Sequence, residues 1–216
     1  MASRADVPEG GRSAQELVVT VLLVLSALAT SWSSYQATRW NGEQAAAAGR
    51  SNAARIQGAR ADGLARSQTQ VDVATFIAWA DADQRGETKV ADYYVGLFRP
   101  ELRVAYDAWL ARQQLADPGS TPSTPFSMDE YQVGSTVEAA RLDAEAEAAS
   151  ALVRLNIQRS SNYVLTVVLY AVVLFFAGMS TRLRDPRLRW VMTIAGSLVL
   201  LGALAWLSTF PVSVAV

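Results

Sequence analysis

NYVLTVVLYAVVLFFAGMST (162–181) and WVMTIAGSLVLLGALAWLSTF (190–210) are two charge-free stretches joined by Arg182-Leu-Arg184-Asp-Pro186-Arg187-Leu-Arg189. A helix rises about 1.5 Å per residue and the hydrocarbon core of a bilayer is roughly 30 Å thick, so each stretch is long enough to cross it. Pro186 breaks the helix between them, and four arginines in eight residues place the loop on the cytoplasmic side. The same arginines, Arg182, Arg184, Arg187 and Arg189, are candidate contacts for lipid headgroups.

A third apolar block, LVVTVLLVLSALATSWSSY (17–35), lies near the N-terminus. A cleaved signal peptide competes as its reading, because Ala27-Leu28-Ala29 offers small residues behind a short apolar core. Against cleavage, Asp6, Glu9 and Glu16 offset Arg4 and Arg12, and the apolar pattern runs on to Trp32, Tyr35 and Trp40, rings suited to a membrane interface. The expected organisation is therefore a cytoplasmic tail (1–16), a first span (17–36), an extramembrane helical region (37–161), a second span (162–181), the cytoplasmic loop (182–189), a third span (190–211) and a short outer tail (212–216). The class is all-α: an integral membrane protein with three transmembrane helices and an extramembrane stalk and cap, in a bacterial plasma membrane. The 37–161 region holds 13 basic and 16 acidic residues, but a region of that length is exported largely regardless of charge. Arg39, Arg154 and Arg159 read as anchors at the outer surface.

The composition limits the chemistry. The chain has 216 residues, 51% of them hydrophobic, and a formal net charge of −1, too apolar for disorder and too neutral for a nucleic-acid partner. It contains neither histidine nor cysteine, which removes imidazole bases, thiolate nucleophiles, disulfides and His/Cys metal sites. The spans carry no Asp, Glu, Lys, Arg or His, which argues against an ion-coupled transporter.

From Gln36 to about Gln68 no proline occurs and alanine and arginine dominate, so the first span continues as a helical stalk. Gly42, Gly49, Ile56 and Gly63 recur every seven residues, which suggests a helix-packing seam. The return helix repeats the pattern with Val137, Ala140, Ala144, Ala148, Ala151 and Leu155 at three-or-four spacing. Seams of such small residues bury little apolar area, so the stalk needs further helices from neighbouring copies or from another membrane protein.

At the far end three amphipathic stripes follow one another: Val73, Phe76, Ile77 and Ala80; Val90, Tyr94, Leu97 and Phe98; Leu102, Tyr106 and Trp109. Gly86 separates the first two, and Pro100 suits the first turn of the third. The segment 117–125 has three prolines and reads as a loop. Phe126, Met128 and Tyr131 are expected to pack on the aromatic cluster, with Ser127 or Asp129 capping the return helix. A core is the default role of the rings, and a ligand pocket the alternative.

Asp81, Asp83, Gly86 and Asp92 echo part of a calcium loop, but Arg85 stands where an oxygen ligand belongs and Asp92 replaces the bidentate glutamate. Glu138, Asp143, Glu145 and Glu147 spread around the return helix as a solvated face would. Asp72, Asp81 or Asp83 beside Trp79 could be imagined in a sugar site, yet nothing in the linear order pairs two acids. No catalytic residue, metal ligand or cofactor is assigned.

The stretches ATSWSSYQATRWNGEQA (29–45), SQTQVDVATF (67–76), TPFSMDEY (124–131), QRSSNYVLTVVLYAVVLFFAGMSTRL (158–183) and TFPVSV (209–214) together resemble a family of small bacterial membrane proteins of unknown function. The resemblance implies one N-terminal span, a helical extramembrane region and two C-terminal spans, and it carries no activity or site residues. Eighteen arginines against one lysine suit a GC-rich bacterial genome. The function expected is a non-enzymatic structural or interaction component of the cell envelope that homo-oligomerises. The alternatives are an oligomeric channel or transport accessory, and a small-ligand sensor acting through a partner.

Overall fold

The structure is a computed structural model that describes residues 14–115 and 124–213. These residues are helical throughout apart from short connections: α1 (Ala14–Gln84), α2 (Thr88–Leu97), α3 (Pro100–Leu115), a single 3-10 turn (Pro125–Ser127), α4 (Gly134–Arg182) and α5 (Pro186–Leu207). Three of them, α1, α4 and α5, are long and apolar enough to cross a membrane.

The stripe expected at Val73, Phe76, Ile77 and Ala80 is not a separate helix. It forms the last turns of α1, a continuous helix of 71 residues, because no proline or turn signal interrupts the chain before Gly86. There the helix ends in a Schellman motif: Glu87 N–H donates to Ala82 O and Gly86 N–H to Asp83 O, both at 3.0 Å. Gly86 takes a φ of +75°, a left-handed conformation that costs a glycine nothing. Pro186 opens α5 as expected, and the Asp185 side chain caps it by accepting from Arg187 N–H at 2.9 Å. Helix α4, however, begins at Gly134, so Ser127 and Asp129 lie too far upstream to cap it.

The chain divides into two compact units, one made of Met1–Ala48 and Ala151–Val216 and the other of Gly49–Ser150.

In the first unit the apolar groups are arranged inside out. Large aliphatic side chains such as Leu28, Val168, Leu198 and Leu201 face outward, while Ser26, Ser33, Gln36, Thr166, Ser180 and Thr193 are buried between the helices. In water this distribution would expose the driving force for folding. In lipid it is the expected one, since helices there associate through close packing and hydrogen bonds. Val19, Leu22, Tyr170, Val173, Ala177, Leu200 and Ala203 fill the rest of the interior. Gly196 admits Phe176 so closely that an added methyl would lie 3.3 Å from its Cβ.

In the second unit α1 and α4 run antiparallel. Ser51 Oγ lies 2.9 Å from Ser150 Oγ and donates to Ala146 O at 3.1 Å, and Ser135 Oγ donates to Gln68 Oε1 at 3.0 Å. The contacting face of α1 is Ser51, Ala54, Gly58, Ala65 and Asp72, and that of α4 is Ala139, Leu142, Ala146 and Ala149. Both follow the alternating three-and-four spacing of a left-handed coiled coil. Beyond this pair, Phe76, Trp79, Ala82, Ala91, Phe98, Leu102, Ala105, Tyr106, Trp109 and Met128 form an apolar core. Phe126 meets Phe76 edge-on at 5.5 Å, as the order of residues suggested. The α2 stripe is rotated from its expected phase: Ala91 and Phe98 are buried, with Tyr94 and Val95 packed beside them, whereas Val90 and Leu97 are exposed.

Candidate functional site

The most strongly organised polar group of the second unit is Asp72, which is 0% exposed on the inner face of α1. Its Oδ2 accepts from Arg99 Nη1 at 3.2 Å and from the Tyr131 hydroxyl at 3.0 Å. Arg99 in turn donates to Glu101 Oε1 at 2.9 Å. Four charged or phenolic side chains thus tie α1, the joint between α2 and α3, and the segment before α4. The second carboxylate oxygen, Oδ1, is enclosed and has no hydrogen-bond partner among the described residues. Burial pushes the Asp72 carboxyl above its ordinary value, against the opposing pull of the Tyr131 hydrogen bond and the Arg99 charge, with Glu101 adding to the rise.

Beside the aromatic core lies a cleft of about 480 Å³ walled by Trp79, Tyr106 and Trp109 and edged by Asp83, Gln84 and Gln113. Burial, followed by the Asp83 charge, raises the Tyr106 phenol above its usual range. Trp79 meets Tyr106 edge to face at 5.0 Å and 78°, and Trp109 at 6.1 Å and 85°, an arrangement that stabilises a core beyond its buried area. Of the three acids considered with Trp79, Asp83 lines this cleft, Asp72 is held by Arg99, and Asp81 is exposed and pairs with Arg85 at 2.9 Å. Arg85 also reaches Glu87 at 3.5 Å, so the calcium-like segment is a solvated helix end whose acids surround a cation. On the return helix Arg141 sits 2.7 Å from Glu138 and 3.4 Å from Glu145, and its hydrogen bond holds the Glu138 carboxyl below the usual range.

In the first unit a second polar array lies where α1 and α4 meet the C-terminal segment. Thr166 Oγ1 donates to Tyr163 O at 2.7 Å and lies 3.0 Å from Ser33 Oγ, and Ser160 Oγ donates to Ala37 O at 3.2 Å. The Tyr163 hydroxyl donates to Pro211 O at 3.0 Å, while the Tyr163 and Phe210 rings meet at 5.2 Å. The Arg159 guanidinium stacks 4.5 Å above Trp40. Composition alone gave no signal for Gln36, which pairs with the backbone of Ser213.

Every residue of the two expected packing seams is placed on the far side of its helix from the in-chain partner. Gly42, Gly49, Ile56 and Gly63 are exposed, as are Val137, Ala140, Ala144, Ala148, Ala151 and Leu155. Nothing would meet a methyl at Gly42, Gly49 or Gly63, whereas one at Gly58 would lie 3.1 Å from Asp143 Oδ1 and 3.5 Å from Leu142 Cβ. Gly58 is the glycine that close approach requires. In the loop, Arg182, Arg184 and Arg187 are exposed, whereas Arg189 is half-buried and its Nε is enclosed without a hydrogen-bond partner among the described residues.

Comparison of the chain with protein-family models, with curated proteins and with solved structures finds no match in any of the three.

Proposed function

We propose that the chain is a non-enzymatic integral membrane protein, a structural or interaction component of a bacterial cell envelope, whose copies assemble side by side. Membership of the family of small bacterial membrane proteins that it resembles is part of the same reading.

One observation carries the assembly: the second unit presents an unused apolar face on each of its two long helices. Ile56 is 56% exposed and Val137 60%, and each stands in a row of glycine or alanine. Inside the chain Ser51 is level with Ala146 and Ser150, Gly58 with Leu142 and Asp143, and Gln68 with Ser135. Where second units of neighbouring copies pack parallel and in register, Ile56 of one copy meets Ala144 of the next, and Gly63 meets Val137, a large side chain opposite a small one each time. The two faces belong to different helices, so the contact is head to tail and adds copies one after another, as a ring where the rotation closes. Energetics favour the same conclusion. An in-chain seam of alanine, serine and glycine gains little at about 25 cal/mol per Å², and a second layer of helices supplies what it lacks.

Paired cysteines test this in membranes. Ile56→Cys and Ala144→Cys point away from each other within one chain, so a disulfide between them in the double variant joins two chains. Dimers and a ladder of higher species are expected from the double variant, and monomer from a control at exposed Arg103. Monomer from both contradicts it.

A further inference from the structure

Beside the aromatic core, the cleft of about 480 Å³ between the end of α1 and α3 has the size of a site for a small organic molecule. Trp79, Tyr106 and Leu110 form its wall, and Asp83, Gln84 and Gln113 its edge. Among the described residues no lysine or arginine lines it. Asp83 is exposed and forms no ion pair among the described residues, for Arg85, the nearest cation in sequence, is taken by Asp81 at 2.9 Å and Glu87 at 3.5 Å. The segment 116–123 that follows α3 contains no basic residue. Helix α1 also ends without a basic residue in its last turn, so the negative end of its dipole adds to the charge of this edge. Tyr106 responds to that charge: burial raises its phenol above the usual range, and Asp83 raises it further.

The lining narrows the occupant. An anion would face the Asp83 carboxylate and meet no cation. A metal ion needs several oxygen ligands, and among the described residues no three acids gather in one place. A pyranose stacks on a broad ring face, but Trp79, Tyr106 and Trp109 are only 8%, 6% and 7% exposed and pack edge to face, Trp79 against both of the others. They supply a low-dielectric wall in place of a stacking platform. For the same reason they do not cage a quaternary ammonium, which binds over open ring faces. An uncharged apolar molecule would desolvate the carboxylate and give it nothing in return. A cation that carries N–H donors on an apolar body suits every part of the lining.

We propose that this cleft binds a small primary ammonium with an apolar body. The ammonium donates to the Asp83 carboxylate and to the amide oxygens of Gln84 and Gln113, and the body lies against Trp79, Tyr106 and Leu110. A free amino acid fits less well, since its own carboxylate would come up against Asp83. The site belongs to the second unit alone and is independent of whether copies assemble.

Isothermal titration calorimetry of the full chain in a nonionic detergent tests the proposal, with phenethylamine, phenylacetate, phenethyltrimethylammonium and glucose as separate probes and titrations into detergent alone subtracted. Phenethylamine is expected to give saturable heat, the quaternary amine to bind about tenfold more weakly, and phenylacetate and glucose to give no saturable heat. Asp83→Asn is expected to weaken phenethylamine about tenfold or more, the loss of one charge-assisted contact. Glu145→Gln, which removes an equally exposed acid from α4, leaves the affinity unchanged. Ala80→Phe, which fills the cleft without touching a charge, abolishes binding; since Asp83 is exposed, its variant keeps the fold and reads the site even where the larger substitution does not. No saturable heat from phenethylamine, equal binding of phenethylamine and phenylacetate, or equal affinity in Asp83→Asn and Glu145→Gln would each overturn the proposal. Saturable heat from glucose with none from phenethylamine would make the cleft a sugar site instead.

Discussion

Gln36 holds both backbone polar groups of Ser213: its Nε2 donates to Ser213 O at 3.3 Å, and Ser213 N–H donates to its Oε1 at 3.0 Å. Gln36 is fully buried on α1, so its amide has no solvent to fall back on and the C-terminal segment becomes part of the packing of the first unit. Gln36→Ala removes both bonds and leaves the Ser213 groups unpaired. At about 0.5–1.5 kcal/mol per bond, exchange of the Ser213 amide hydrogen is expected to accelerate about tenfold, measured by hydrogen–deuterium exchange in detergent. Tyr163→Phe, which deletes the bond to Pro211 O, should give a smaller effect of the same sign. An unchanged rate in both variants would show that this segment is held by Phe210 packing alone.

Gly58 and Gly196 are expected to resist enlargement where Gly178 does not. A methyl at Gly178 meets nothing within 4 Å, while at Gly196 it crowds Phe176 and at Gly58 it crowds Asp143 and Leu142. Valine at Gly58 or Gly196 should destabilise its unit by about 1–3 kcal/mol through overpacking. Alanine at Gly178 should be neutral or raise stability by up to about 1 kcal/mol. Thermal unfolding of each variant in the same detergent checks the order.

Asp72 makes stability depend on acidity in a definite direction. Burial raises its carboxyl above the unfolded value of 3.8, so the folded state binds a proton more readily than the unfolded chain. The contribution is fully present below the unfolded pKa and is lost as pH rises through the folded one. The stability difference between the wild type and Asp72→Asn, which does not titrate, should therefore shift against the wild type as pH climbs upward from about 4. Unfolding temperatures at a series of pH values decide it. A difference that moves in favour of the wild type would mean that Arg99 and Tyr131 outweigh desolvation.

The helical period of the stalk was legible from residue order, and its phase was not. Gly42, Gly49, Ile56 and Gly63 do recur every seven residues, but so do Ala37, Gln44, Ser51, Gly58 and Ala65 on the opposite face. Alanine, serine and glycine on both faces leave no polarity contrast by which a hydrophobic stripe declares its side. Gly58, standing outside the other glycine register, was the available clue. The spans were legible because twenty apolar residues in a row have one inexpensive solvent. The Asp72 site was not, since its partners Arg99, Glu101 and Tyr131 are brought together only when α3 and the segment before α4 fold back on α1. The same folding back turns the expected separate stripe at 73–80 into the wall of the aromatic core.

The central claim is that α1, α4 and α5 cross a bilayer, with the 37–161 region on one side and the 182–189 loop on the other. The chain has no cysteine, so single cysteines at exposed Asp107 and Asp185 can be labelled in intact cells with a membrane-impermeant maleimide. Labelling at 107 in intact cells, and at 185 only after permeabilisation, is the expected result; labelling of both positions, or of 185 alone, in intact cells would contradict it.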